Sequence, residues 1–415
     1  MQDLNPQRRE VSASLRHLKL FESVARLRSV RRASEECHLS QPAVTQAIAK
    51  LEEQIGVVLL ERRASGTYLN EFGVIFQRRT QRLFAQFEQA LIELGVPNDH
   101  MPIPLIASRI TRSQIRSLTA IVENGSFAQA ARAIGVSQTS LQRAARDLER
   151  TLRTPLYVQT AFGIMATPVG AEFSRKLKLA MREIESGIDE LEAAKGNFGG
   201  EIVIGAMLMA GSVVLASILN EFALAYPNAS IRILSGTADD MLKCLRGGDV
   251  DFVMGLQREP VGEDLVNHPL AETPYVVVAR HGHPLMRKGK VTLDALADYE
   301  WIIGTPGASR RDRFENLFDG HHRVPRARLA TCSPPIIRHL LGENDYLTLM
   351  TSYELLHEGD ALTAVPYGAI GPVPSIGLTT RENWLPTQLQ QNFFELVQTR
   401  IVGSLTPKTK FRVAS

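Results

Sequence analysis

The chain has 415 residues, 44% of them apolar and 22% charged, with a formal net charge of +3. That length exceeds what one hydrophobic core can organise and predicts about three domains. The longest apolar runs, such as "LIASRI" and "VVVA", fall far short of a membrane span, residues 1–14 are too polar for a signal peptide, and Cys37, Cys244 and Cys332 are too few and too scattered for a disulfide framework or zinc cluster, so a cytoplasmic protein with reduced thiols and no membrane partner is expected.

Charge is uneven along the chain: residues 1–97 carry +3, residues 98–198 carry +3 and residues 199–415 carry −3. A polyanion, if bound, is expected at the basic front, because phosphate contacts need clustered Lys and Arg.

After a flexible N-terminus, residues 1–14, the first elements are helical. Leu18, Phe21, Val24 and Ala25 recur at helical spacing, and Ser29 is placed to cap a short second helix through Ala33 and Glu36. Ser40 caps a third, "SQPAVTQAIAKLEEQIG", with Pro42 in its first turn, where backbone N–H groups lack helical partners. Val44, Ile48, Leu51 and Ile55 form its apolar face, leaving Gln41, Pro42, Thr45, Gln46 and Ala49 outward. Small and amide side chains suit a helix entering the major groove, where Gln pairs bidentately with adenine; a solvated polar flank is the plain alternative.

Gly56 can end this helix, and "VVLLERRASGTYLN" reads as two short strands around a turn, a wing carrying Arg62 and Arg63. The stretch that follows carries Phe72, Ile75, Phe76, Leu83, Phe84, Phe87, Leu91 and Leu94, a long amphipathic helix whose stripe needs another helix or another chain.

A shift of 97 residues lays the pattern over itself without a gap: Ser29 on Ser126, Ser40-Gln41 on Ser137-Gln138, Leu51-Glu52 on Leu148-Glu149, Gly66 on Gly163, Gly73 on Gly170. Two copies predict a duplicated small domain rather than a solenoid. The second copy changes its outward residues to Gln138, Thr139, Gln142, Arg143 and Arg146, puts Arg153 at the position of Gly56 and Gln159 at that of Arg62, which predicts loss of a helix cap and of a phosphate contact. It is either a second reading head of other specificity or a dimerising unit with weak affinity for the DNA backbone.

A second long helix over residues 168–195 breaks at "NFGG", and strands then alternate with helices: "EIVIGAM", a helix near 213–226, "SIRILS", a helix near 241–246, "DFVMG", "YVVVA", "WIIG" and "DYLTLM". Such alternation predicts a parallel or mixed sheet covered by helices, with ligands beyond the strand C-termini. "HGH" at 281–283 and His321-His322 have no defined ligand spacing, and no metal or cofactor is expected. The chain lacks a G-x-S-x-G elbow, an H-E-x-x-H helix, a Walker loop and, in "GGEIVIGA", the full dinucleotide fingerprint, so no catalytic residues and no enzyme are expected.

The run "LRHLKLFESVA … SQPAVTQAIAKLEEQIGVVLLER … LNEFG" resembles the winged helix-turn-helix and linker helix of LysR-type transcriptional regulators, and "SLTAIVENGSFAQAARAIGVSQTSLQRAARDLERTLRTPLYVQ … TPVG" resembles the same module. "LVNHPLAETPYVVVARHGHPL" and "VTLDALADYEWIIG" resemble the effector domain of that family, itself similar to periplasmic solute-binding proteins; "SIGLTTRENWLPTQLQQNFFELV" and "TCSPPIIRHLL" are most similar to the subgroup of galactose-binding protein regulators, although Ala330 stands where that subgroup has Glu. The resemblance spans residues 15 to about 403.

It implies a multidomain fold: two α-rich winged helix-turn-helix domains at 15–73 and 110–170, linker helices at 74–97 and 171–198, a connector at 98–109, an α/β periplasmic-binding-protein-like (type 2) effector domain at 199–403 and a tail at 404–415. The effector domain would comprise two subdomains, one about 199–267 with 375–403, the other about 268–374. It implies DNA contacts from Ser40, Gln41, Pro42, Thr45, Gln46, Lys50, Arg62 and Arg63, with Gln138, Thr139, Gln142, Arg143 and Arg146 as the second set, and linker helices that pair into dimers. By analogy an effector, a sugar or small organic acid, would lie among Met207, Leu208, Gly236, Thr237, Thr305, Cys332 and Ser333, although helix capping alone also explains the hydroxyls. The expected function is an effector-controlled, sequence-specific DNA-binding regulator acting as a dimer or tetramer, with RNA polymerase as a partner if it activates. A cytoplasmic ligand-binding or transport-related protein with vestigial helix-turn-helix modules is the alternative.

Overall fold

The computed structural model describes residues 13–97, 101–161, 163–207, 212–257, 259–358 and 361–404. The N-terminus expected to be flexible, up to residue 12, the tail from 405 and Leu208 lie outside these. The chain divides into two compact units between Phe198 and Gly199.

The first unit begins with helices α1 (Leu15–Leu27), α2 (Val30–Glu36) and α3 (Gln41–Ile55), a hairpin of β1 (Leu60–Arg63) with β2 (Gly66–Leu69), and the long helix α4 (Glu71–Glu93). A short helix, α5 (Ile103–Arg109), lies in the stretch expected to be a bare connector and buries Ile106 and Ala107. Then come α6 (Arg112–Asn124), α7 (Phe127–Ile134), α8 (Gln138–Leu152), the hairpin of β3 (Tyr157–Thr160) with β4 (Gly163–Ala166), and α9 (Pro168–Ala194).

Local chemistry recurs at the same shift of 97. The Ser29 and Ser126 hydroxyls accept from the N–H groups of Arg32 and Gln129, and those of Ser40 and Ser137 from Ala43 and Ser140, caps that contribute about 1 kcal/mol each. Glu52 Oε1 accepts from Leu59 N and Leu60 N at 2.8 and 3.2 Å, tying the end of α3 to the wing; Glu149 Oε1 does the same for Leu156 N and Tyr157 N at 2.8 and 3.1 Å. Gly73 and Gly170 pass so close to a wing carbonyl that a Cβ would lie 2.1 Å from Leu59 O and 2.4 Å from Leu156 O, so neither position admits a side chain.

One expectation fails at Arg153. It was to cost the second copy its helix cap, yet Arg153 takes the left-handed conformation at φ 53°, as Gly56 does at φ 73°. The turn is kept, and the Cβ there costs about 1–2 kcal/mol.

The stripe on α4 is covered by α9. Phe76, Leu83, Phe87 and Leu91 share one buried core with Phe173, Leu177, Ala180, Ile184 and Leu191. Arg79, 1% exposed, sits in this contact with Nη1 donating to Glu183 at 2.9 Å, Nε to Glu190 at 3.0 Å and an ion pair from Nη2 to Glu190.

The second unit contains β5 (Gly200–Met207), α10 (Ser212–Ala225), β6 (Ala229–Gly236), α11 (Ala238–Gly247), β7 (Phe252–Leu256), β8 (Leu265–Glu272), β9 (Tyr275–Arg280), α12 (Leu293–Ala297), β10 (Ile302–Ile303), α13 (Ser309–Leu317), β11 (Leu329–Ala330), α14 (Pro334–Glu343), β12 (Thr348–Thr351), α15 (Ser352–Leu356), β13 (Leu362–Ile370), β14 (Ser375–Arg381) and α16 (Gln388–Ser404). The sheet of order β6-β5-β7-β14-β8 is mixed: β5 runs parallel to β6 and β7, while β14 is antiparallel to β7 and β8. β12-β9-β13 form an antiparallel sheet and β10 pairs with β11 in parallel. Because β8 stays in the five-stranded sheet to Glu272, that layer extends past the boundary expected at 267. Among the described residues no helix is long and apolar enough to cross a membrane.

Candidate nucleic-acid interface and ligand cavity

On α3, Val44, Ala47, Ile48, Leu51 and Ile55 are buried, while Gln41, Pro42, Gln46 and Lys50 are exposed and Thr45 is half-buried. Ser40 Oγ accepts from Ala43 N at 3.4 Å and so caps the helix start. The basic side chains converge on His17, which is held below the ordinary histidine range first by burial, then by the charges of Lys50 and Arg16. Its Nδ1 is buried without a partner. Neither Arg16 nor His17 was singled out in the sequence; only the packing of α1 against α3 brings them to Lys50.

In the wing, Arg63 pairs with Glu61 and lies 5.3 Å from the centre of the Tyr68 ring, while Arg62 is exposed and has no ion pair among the described residues. Arg28 O accepts from Thr67 N at 3.0 Å and its guanidinium lies 5.8 Å from the Tyr68 ring, anchoring the hairpin to the end of α1. Arg62 is thus a free cation on a braced ribbon.

On α8, Leu141, Ala145, Leu148 and Leu152 are buried. Gln138, Thr139, Arg143 and Arg146 are exposed and Gln142 is half-buried, so the expected outward set is assembled on one side. Gln159, in the second wing, is exposed and neutral where Arg62 is charged.

The second unit holds a cavity of about 450 Å³ at the C-terminal ends of β5, β6 and β7. Met207, Gly236, Thr237, Thr305 and Cys332 line it as expected; Ser333 does not. Ser333 starts α14, its N–H donating to Thr331 Oγ1 at 3.1 Å. Thr237 caps α11, accepting from Asp240 N at 3.2 Å and donating to Asp240 Oδ2 at 2.6 Å, whereas the Thr305 hydroxyl makes a 3.4 Å contact with Cys332 Sγ.

The sequence reading missed the polar wall opposite. Tyr275, Ser309, Arg310, Arg313 and Glu354 line the same cavity. Tyr275 Oη lies 3.1 Å from Ser309 Oγ, and burial, above all, pushes the phenol up to about 12. Arg310 is 5% exposed and meets Glu354 at 3.6 Å, yet its Nε and Nη1 are buried without hydrogen-bond partners. Glu354 is itself engaged, accepting from Thr351 N at 2.8 Å. A buried guanidinium with two unmade hydrogen bonds costs stability, and an acceptor at this wall of the cavity would offset that cost. The run "SRRDRFENL" shows no period that marks Arg310 as the inward arginine, so no local signal could have selected it.

Of the histidines set aside in the sequence, His283 is fully buried, its Nδ1 accepting from Leu285 N at 3.2 Å and its Nε2 3.3 Å from Asp345 O. His321 and His322 meet Asp294 at 3.4 and 3.2 Å, with Asp294 and His322 exposed and His321 half-buried.

Residues 15–74 and 113–171 match the bacterial regulatory helix-turn-helix protein family of lysR type, and residues 195–401 match the LysR substrate binding domain. The chain is 30% identical over 376 residues to the HTH-type transcriptional regulator GalR of Pseudomonas putida, covering 90% of this chain and 93% of that protein. It is 27% identical over 212 residues to the regulator GbpR of Rhizobium radiobacter, 50% of this chain and 70% of that one. Among solved structures, full-length OxyR from Pseudomonas aeruginosa aligns with a TM-score of 0.52 at 17% identity, over 70% of this chain and 93% of that chain, a likeness of fold.

Proposed function

Because the chain belongs to the LysR family of DNA-binding transcriptional regulators, we propose that α3 reads base edges in the major groove and that the cavity of the second unit takes the controlling effector. One observation carries the reading: the exposed face of a Ser-capped helix, Gln41, Pro42, Gln46 and Lys50, backed by five buried apolar residues and flanked by the unpaired Arg62. Gln46 would pair with adenine, Thr45 would offer a hydroxyl or methyl group, and Lys50, Arg62 and Arg63 would contact phosphates. The recurrence of caps, wing ties and close glycines at the shift of 97 supports a tandem duplication of the winged module. The two sheets of the second unit support a two-subdomain effector domain, split near Glu272 and Ser375.

The unsatisfied Arg310 favours a small organic acid over a sugar, with Thr305, Ser309 and Tyr275 as neutral partners. Effector binding changes DNA affinity only if the effector binds one arrangement of the molecule more tightly than another. The protein works in the cytoplasm, without catalysis, self-associates as a dimer or tetramer and, as an activator, meets RNA polymerase.

Footprinting of the intact protein across the genome at physiological salt tests this reading. Specific sites are expected for the wild type and are expected to vanish for Gln46→Ala; the absence of any preference over competitor DNA in the wild type would refute it.

A further inference from the structure

The contacts between α4 and α9 obey a rule that two unrelated helices have no reason to follow. Arg79 pairs with Glu190; moving each by 97 residues gives Lys176 and Glu93, and these two also pair. Gln86 moved by 97 becomes Glu183, and Gln86 Nε2 donates to Glu183 Oε1 at 2.9 Å. This ion pair of i with j thus returns as j with i, and one position meets its own counterpart, as in a two-fold, isologous interface, although the contacts of Arg79 and Arg82 with Glu183 have no such mate among the described residues. Here both sides belong to one chain.

This pairing uses up the surface of α4. Its apolar side chains lie in the core shared with α9, where Gly187 lets the helices close: a Cβ there would meet Phe76 and Arg79 at 3.2 Å. The large apolar side chains that α4 leaves exposed are Val74 and Ile92, at opposite ends and separated by polar residues.

The two heads displayed by this pair are alike in build and unlike in reading face. α3 and α8 each have 15 residues and a Ser cap. The shift of 97 sets Arg143 at the place of Gln46, Arg146 at that of Ala49 and Asp147 at that of Lys50. Arg143 and Arg146 are exposed and form no ion pairs among the described residues, whereas Asp147 is held by Arg150 at 2.6 Å. Glutamine matches adenine and arginine matches guanine, so the change at one position alters the base preferred.

We propose that one chain is its own two-headed DNA-reading unit, with α4 and α9 paired internally, so that α3 and α8 read two unlike half-sites, the second guanine-bearing, of one non-palindromic operator. The second half of this statement rests on the DNA-binding reading above; the internal pairing does not. In paired helix-turn-helix proteins, half-sites lie about one helical turn, roughly 10 base pairs, apart or at multiples of that spacing.

Two measurements on the full chain test it. In the first, wild type, Gln86→Cys and Gln86→Cys/Glu183→Cys are treated with a short bis-maleimide. The double variant should cross-link within the chain and keep the mass of one chain, and Gln86→Cys alone should form no more covalent dimer than wild type, whose Cys37, Cys244 and Cys332 set the background. Dimer formation by Gln86→Cys alone would mean that α4 pairs with α4 of a second copy; an inter-chain product from the double variant would mean exchange between chains. Either overturns the proposal.

In the second, operators are selected from random DNA with the intact protein and tested against Gln46→Ala and Arg143→Ala/Arg146→Ala. Each variant should lose roughly tenfold or more in discrimination at one half-site and leave the other unchanged. A palindromic operator, or unchanged base preference in Arg143→Ala/Arg146→Ala, overturns the second reading head even where the cross-link holds. A wild type without any sequence preference overturns the DNA-binding reading as well.

Discussion

Replacing Arg79 with Met should unseat the contact between α4 and α9. The guanidinium is 1% exposed and donates to Glu183 at 2.9 Å and to Glu190 at 3.0 Å. Breaking a buried ion pair by removing one member costs about 3–5 kcal/mol, because the other charge stays behind unpaired. Two features place this case at the low end: Glu183 keeps Arg82 at 3.0 Å and Gln86 at 2.9 Å, and the Glu190 side chain, 18% exposed, can take up water. A loss of about 3 kcal/mol follows, enough to lower a urea midpoint by 1 M or more at a usual slope of roughly 1–3 kcal/mol per M. Arg79→Met/Glu190→Met removes one stranded carboxylate as well and should recover much of the loss. Both tryptophans, Trp301 and Trp384, lie in the second unit, so their fluorescence follows that unit while far-ultraviolet circular dichroism follows the helices of both. The expected result is an earlier dichroism transition. A midpoint within about 0.3 M of wild type for the single variant, or a double variant worse than the single, would refute the assignment of this cost to a stranded charge.

Arg153→Gly should stabilise the first unit by about 1 kcal/mol by relieving a left-handed Arg, read as a raised urea midpoint; the space around Gly56, where nothing lies within 4 Å of a would-be Cβ, indicates that the gain is conformational. Arg310→Met should weaken binding of a carboxylate effector by about tenfold or more; because it also strands the buried Glu354, 3.6 Å away, the test is read as selectivity, isothermal titration with small organic acids against neutral sugars on protein shown to be folded, and equal binding of the acids by wild type and variant would remove Arg310 from the site. Burial holds His283, His268 and His357 below the ordinary histidine value of about 6.5, so below that pH the unfolded chain binds more protons, and stability present above it is lost as the pH falls. Thermal melts followed by Trp fluorescence should therefore shift downward between pH 7 and 5, and a His283 ring that titrates above 6.5 by NMR would contradict the assignment.

The helix-turn-helix elements were legible because their signals are local: a Ser before a helix, a period of 3.6, a glycine past the end. The same locality misled at Arg153, which keeps the left-handed turn at φ 53° beside the tie from Glu149 to Leu156 and Tyr157. The sequence exposed the apolar stripe of α4 but left open whether its partner was a helix of the same chain or of another, since the answer depends on how α5 returns the chain. In the second unit, alternation of strands and helices pointed only to the strand C-termini, and Met207 and Gly236 were singled out through the resemblance to the family's effector domain. Arg310 and Tyr275 were not, because what marks them is a missing hydrogen bond and a burial that exist only after distant segments pack.

Two copies of α9 brought together on the same axis would set the carboxylate of Glu183 against itself, and two copies of α4 would set amide against amide; only the mixed pair joins a donor to a charged acceptor. Tethering those partners holds them at an effective concentration that does not fall when the protein is scarce. Assembly of the reading heads then scales with the number of chains rather than with its square, and a cell holding a handful of copies keeps each of them ready for an operator.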